Sequence, residues 1–135
     1  MSLEKLPMII QGGMGVAVSD WRLAKAVSLN GQLGVVSGTA MDVVLARRLQ
    51  QGDREGHLRR ALSMFPFEEM VDRILDRYFI EGGKAEGVPF KGLSLMNENP
   101  TQEQLELLVV ANFVEVFLAK EGHEGIVGVN LLEKI

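Results

Sequence analysis

The feature that most constrains the fold is a short apolar run that occurs three times along the chain, with helical patterns between the runs. The runs lie near residues 8–13, 33–38 and 125–132. A continuous apolar run of this kind is typical of a strand buried on both faces of a parallel sheet. Between the first two runs, Ser19 and Asp20 offer a helix N-cap, and Asn30-Gly31 offers a stop. The pattern therefore predicts a βαβ unit with parallel strands and a right-handed crossover.

A helical insertion near residues 47–99 separates the second run from the third. Thr39 is predicted to cap the helix that follows the second strand. One stretch has the spacing of an amphipathic helix: Phe67, Met70, Val71, Ile74, Leu75 and Tyr78. Residues 81–99, rich in glycine, proline and asparagine, are predicted to be irregular. Thr101 and Gln104 predict a capping box for a last helix. One face of that helix is marked by Leu105, Leu108, Val109, Asn112, Val116 and Phe117.

Composition narrows the kinds of partner and site. The chain has 135 residues, a net charge of -4 and a pI near 5.2, so nucleic acid is not expected as a partner. It has no cysteine, which excludes disulfides, thiolate metal ligands and a cysteine nucleophile. His57 and His123 are far apart, and we expect surface or helix-end roles for them and no metal site. The apolar start is too short for a signal peptide or a membrane span, so we expect a cytoplasmic protein.

Three strands are too few to close a barrel, and a complete (β/α)8 barrel has about 250 residues. We therefore expect the 135 residues to form a single, incomplete barrel segment, as a fragment, a part of a subunit or a proteolysed remainder. The alternative is a small three-stranded α/β domain.

Residues suited to contact a ligand follow each predicted strand. The loop from Gly12 to Gly15 lets backbone approach a flat or phosphorylated ligand, or it forms only a tight turn. The Ser37-Gly38-Thr39 stretch contributes hydroxyls and amides, or Thr39 serves only as a helix cap. Asn130 places an amide in an apolar strand, where it faces a ligand or bonds neighbouring backbone. Because parallel strands end at one edge of a sheet, these residues predict a ligand site there.

The motifs resemble those of a known flavoprotein family. They are PMIIQGGMG at residues 7–15, LAKAV at 23–27, NGQLGVVSG at 30–38 and GVNLL at 128–132. In this order they resemble the nitronate monooxygenases (2-nitropropane dioxygenase-like proteins), and FMN-dependent enoyl-ACP reductases share the opening motif. Gln32 stands where glycine is usual in the family. The helical insertion resembles that of a longer bacterial branch.

The resemblance implies the N-terminal part of a (β/α)8 TIM barrel, with the helical insertion between strands two and three and FMN at the carboxyl mouth. The implied cofactor-binding residues are Gly13, Met14, Gly15, Ser37, Gly38 and Asn130. Backbone around Met14 packs against the isoalloxazine ring, Asn130 hydrogen-bonds the flavin, and Ser37 forms part of the wall. The implied reaction is oxidation of an alkyl nitronate or related carbanion by dioxygen. Neither His57 nor His123 matches the family's catalytic histidine, so the catalytic residue stays unassigned.

Two other functions remain open. The first is reduction of enoyl thioesters by a similar FMN barrel. The second is a non-catalytic role in assembly, because apolar strand edges favour self-association or pairing with the remainder of a barrel. The segment alone is expected to be inactive.

Overall fold

The computed structural model describes residues 6–94 and 96–131. Its elements are α1 (Trp21–Leu29), β1 (Gly34–Ser37), α2 (Met41–Gln50), α3 (His57–Leu62), α4 (Glu68–Tyr78), α5 (Gln102–Lys120) and β2 (Val127–Asn130). They divide into two compact units. The strand unit contains the described residues up to Thr39 and from Glu115 onwards, and the helical unit contains residues 40–114. Within the described ranges, no helix combines the length and apolar content that a bilayer span requires.

The strand unit confirms a mixed α/β class with parallel strands. β1 and β2 pair in parallel, with Gly34 opposite Val127 and Ser37 opposite Asn130. Helix α1 begins where the Asp20 carboxylate accepts hydrogen bonds from the amides of the first turn, and it ends at Leu29. Gly34 lets α1 lie directly on β1, because a Cβ there would be 2.0 Å from the Ala24 carbonyl oxygen.

The first apolar run departs from the prediction of a strand near residues 8–13. Ile10 forms only an isolated parallel bridge with Leu33. The side chains of Met8, Ile9 and Ile10 are exposed, so the run is not buried on both faces. The physical reason is a contact with a distant residue, because the Gln32 side-chain carbonyl accepts hydrogen bonds from the amides of Met8 and Ile9. A side chain thus takes donors that a longer ladder would use.

The other two runs form shorter strands than predicted. β1 lies inside the predicted range 33–38 and is buried at Val36 and Ser37. β2 covers Val127–Asn130 of the predicted 125–132, and Val129 is exposed. Leu132, the last residue of that prediction, lies outside the described residues. An apolar run indicates a strand, but burial also requires a covering element on each face.

In the helical unit, α4 has the predicted amphipathic character. It buries Val71, Ile74 and Tyr78, which recur at helical spacing. Phe67 precedes the helix and is exposed. The described residues between 81 and 99 contain neither helix nor strand, which confirms the irregular excursion.

Two predictions about helix starts have opposite outcomes. The predicted Thr101–Gln104 capping box is confirmed: the Thr101 amide donates to Gln104 Oε1 at 2.8 Å, and the Gln104 amide donates to Thr101 Oγ1 at 3.2 Å. The prediction that Thr39 caps α2 is wrong. Ala40 occupies the N-cap with φ at 55°, and no side chain caps that end. Left-handed backbone at Ala40 does not provide the extended N-cap geometry that a capping hydroxyl needs.

Helix α5 does not bury the face that its spacing marked. Leu105 and Val109 are exposed, whereas the buried residues are Leu107, Val110, Ala111, Val114, Glu115, Leu118 and Ala119. Apolar residues surround the whole circumference of this helix. Periodicity alone therefore does not select the buried face.

Candidate functional site

The six predicted ligand-contacting residues come together in the strand unit, at the carboxyl ends of β1 and β2. Ser37 and Asn130 are register partners, and the Gly38 amide donates to the Asn130 carbonyl at 2.9 Å. Ser37 Oγ donates to the Met14 carbonyl at 3.3 Å. The Asn130 side-chain amide donates to Met14 Sδ at 2.9 Å. The loop and both strand ends therefore form one connected group, which we call the strand-end site: residues 12–17, 37–39 and 130.

The glycine loop is pressed against β1. Gly13 is buried with φ at +56°, and a Cβ there would be 2.3 Å from Val35 Cγ1. Only glycine combines this left-handed backbone with so close an approach. The Gly15 carbonyl then accepts hydrogen bonds from the amides of Val18 and Ser19, which closes the turn into α1.

Gln11 and Ser19 hold this loop, and the sequence analysis did not assign either of them to the site. Gln11 Oε1 accepts a hydrogen bond from the Val35 amide at 3.0 Å. The buried Ser19 donates from Oγ to the Val35 carbonyl at 2.9 Å, and its own carbonyl accepts from the Ser37 amide at 2.9 Å. Through these bonds, Gln11 and Ser19 occupy backbone donors and acceptors of β1 beyond the point where Ile10 bridges to Leu33. The only sequence signal for this role was the position of Gln11, a polar residue that ends an apolar run.

Unused hydrogen-bond donors distinguish the strand-end site. The amides of residues 12–17 donate no hydrogen bond to any described residue. Three carbonyls of the site are engaged, because those of Met14, Gly15 and Asn130 each accept at least one bond. A surface with this run of free donors suits a ligand rich in carbonyl, anionic or ring-nitrogen acceptors.

Apart from these backbone groups, the exposed surface of the site is apolar. Met14 is 58% exposed, and Val16 and Val18 are exposed beside it in sequence, whereas Ser37 and Gly38 are buried. None of the residues of the site carries a titratable side chain. In residues 6–94 and 96–131, no group of three His, Cys, Asp or Glu side chains could hold a metal ion. The site can therefore position and desolvate a ligand, while a proton-transfer group is not among its residues.

The two histidines have local structural contacts. His123 lies three residues beyond the end of α5, where Nε2 donates to the Ala119 carbonyl of the last turn at 2.6 Å and Nδ1 accepts from the Gly125 amide at 3.0 Å. His57 begins α3 and contacts Glu55 at 2.7 Å and Arg60 at 3.0 Å. The expectation of helix-end positions is confirmed for both residues.

Shifted pKa values occur in the helical unit. The hydrogen bond from Arg73, at 2.7 Å, holds the pKa of the Glu106 carboxyl below its ordinary value. Arg77 pairs with Glu103 one turn further along the same helices. Burial raises the pKa of the Tyr78 hydroxyl. These pairs join α4 to α5 and serve the fold of that unit.

The strand-end site is thus a donor-rich, uncharged surface built on two parallel strands and a glycine loop. Comparison of the chain with protein-family models, with curated proteins and with solved structures finds no match.

Proposed function

We propose that this chain forms the first strands of a cytoplasmic FMN-dependent oxidoreductase that oxidises alkyl nitronates, or related carbanions, with dioxygen. The observation that carries the proposal is the strand-end site itself. Four residues from three separate stretches of sequence, Met14, Ser37, Gly38 and Asn130, meet through direct hydrogen bonds at one sheet edge, and Gly13 and Gly15 flank Met14 in the loop. Ligands of open and closed α/β sheets bind at this edge.

The order of pairing supports a (β/α)8 barrel. The first apolar run bridges to Leu33, next to β1, and β1 pairs with β2. Alternate amides of the middle strand point in opposite directions: Leu33 donates to the Ile9 carbonyl, and Gly34 donates to the Ile126 carbonyl. The three segments therefore lie side by side in chain order, and all are parallel. A barrel has this order, and so does the first half of a dinucleotide-binding sheet, whereas a flavodoxin-like sheet places its first strand between the second and third.

The residues present fit FMN. The isoalloxazine ring offers carbonyl oxygens and ring nitrogens as acceptors, which complement the free amides of residues 12–17. Met14 offers an exposed apolar surface to a flat ring, and the Asn130 amide can exchange its thioether acceptor for a stronger one. Gly13 and Gly15 keep side chains off the loop, and Ser37 contributes to the wall. FMN, when bound, supplies the electron-transfer chemistry, and these residues bind and orient it.

A second observation bears on assembly. Large apolar side chains are exposed on the first run, at Leu6, Met8, Ile9 and Ile10. Such a surface fits a further strand of the barrel or a second copy of the chain. The assembly alternative therefore predicts self-association without flavin.

The test is the visible spectrum of the purified full-length protein, with its mass in solution. The proposal expects flavin absorption bands that are lost in Asn130→Leu and kept in Asn30→Ala, an exposed amide at the end of α1. Oxygen consumption with an alkyl nitronate is then compared with reduction of an enoyl thioester. Activity only with the thioester would support the reductase alternative. A colourless, FMN-indifferent protein would refute the flavoenzyme.

A further inference from the structure

Thr39 has an unusual hydroxyl. Its Oγ1 is buried and has no hydrogen-bond partner among the described residues. The other described hydroxyls of the strand unit are all bonded: Ser19 to the Val35 carbonyl, Ser28 to the Ile126 carbonyl and Ser37 to the Met14 carbonyl. A buried hydroxyl without a partner is unfavourable, and its presence in a native fold requires an explanation.

The position of Thr39 links the hydroxyl to the strand-end site. Thr39 directly follows Gly38, whose amide donates to the Asn130 carbonyl at 2.9 Å. Adjacent Cα atoms are about 3.8 Å apart, so Thr39 lies beside the end of β2. The backbone before it is also fixed, because the Ser37 amide donates to the Ser19 carbonyl at 2.9 Å. Helix capping does not account for the residue, since α2 has no side-chain cap.

We propose that Thr39 is a ligand-binding residue whose hydroxyl donates a hydrogen bond to an acceptor atom of the small molecule in the strand-end site. With FMN as that molecule, the inference rests on the proposed function. The donor role follows from the surrounding groups: the carbonyls of Met14 and Asn130 are already engaged, and the free amides of the loop select a ligand that offers acceptors. Threonine suits the role, because its branched Cβ restricts χ1 and limits the entropy lost when the hydroxyl binds.

This role makes stability and binding respond in opposite directions. Thr39→Val keeps the shape and removes the unpartnered hydroxyl. The ligand-free protein should therefore melt at the same temperature or up to about 4 °C higher. Affinity for the ligand should fall about tenfold, because one hydrogen bond is lost. Thr39→Ser restores the hydroxyl and should bind within about threefold of the natural protein.

A matched control is Thr101→Val. Thr101 Oγ1 accepts the Gln104 amide at 3.2 Å, so the same substitution there removes a bond that exists. That variant should melt at a lower temperature and bind FMN normally.

The experiment measures FMN affinity by fluorescence quenching, and melting of the FMN-free form, for the full-length protein and the three variants. The expected result is weaker binding only in Thr39→Val, without loss of thermal stability. Unchanged affinity in Thr39→Val would overturn this inference and leave the proposed function standing. An ordered water bound to the hydroxyl would give that result. A clear fall in the melting temperature of that variant would also overturn it, because the hydroxyl would then have a structural partner. If the natural protein does not bind FMN, the proposed function and this inference both fail.

Discussion

Replacement of Gly13 by alanine tests the packing of the glycine loop on β1. The new Cβ would lie 2.3 Å from Val35 Cγ1, 3.0 Å from Val35 Cβ and 3.2 Å from the Val35 carbonyl oxygen. The backbone at Gly13 has φ at +56°, a region that L side chains adopt at a cost. Val35 cannot easily turn away, because valine is restricted at χ1 and its amide is held by Gln11.

The expected loss has two parts. Left-handed backbone at an alanine costs about 1–2 kcal/mol. Overpacking against a stiff neighbour costs about 1–3 kcal/mol more. Gly13→Ala should therefore lower the free energy of unfolding by about 2–5 kcal/mol, the sum of these two costs. The clash portion should shrink when Val35 is shortened, whereas the backbone portion should remain.

The assay is urea unfolding of Gly13→Ala, Val35→Ala and the double variant, with Gly12→Ala as the control. Gly12 is one residue away, and a Cβ there would meet nothing within 4 Å. The control should therefore be neutral or slightly stabilising, through reduced freedom of the unfolded chain. A double-mutant cycle should give a favourable coupling of about 1–3 kcal/mol between the two substitutions. The reasoning is refuted if the two glycine variants are equally stable, or if the coupling is absent.

Three further predictions concern other contacts. Glu115 is buried and accepts the Trp21 amide at 2.9 Å, so Glu115→Leu should destabilise the protein by about 1–3 kcal/mol in urea, and Glu115→Gln by less. The lowered pKa of Glu106 stabilises the fold above the ordinary glutamate pKa of about 4.3. The melting-temperature difference between Glu106→Gln and the natural protein should therefore be present at pH 7 and disappear as the pH falls below that value. His123 donates to Ala119 and accepts from Gly125, so His123→Ala should cost about 1–2 kcal/mol and speed hydrogen exchange at the Gly125 amide.

Local chemistry was sufficient to predict several elements from the sequence. The Thr101–Gln104 capping box and the start of α1 at Asp20 depend on residues within three positions of one another. The apolar spacing of α4 is likewise a property of one helix. The site could be anticipated for a related reason, because the carboxyl ends of parallel strands must share an edge of the sheet.

The tertiary structure decided what depends on contacts between distant segments. The first run is reduced to a bridge because Gln32, 23 residues beyond Ile9, takes its amide. The buried face of α5 could not be selected from a helix that is apolar on all sides. The contacts of Gln11 and Ser19 with β1, and the unpartnered hydroxyl of Thr39, likewise depend on which groups are brought within hydrogen-bond reach. The sequence by itself therefore determined the class of fold and the sheet edge at which the candidate residues meet. Packing determined which donors at that edge stay unused, because a hydrogen bond forms only where folding has placed its partner.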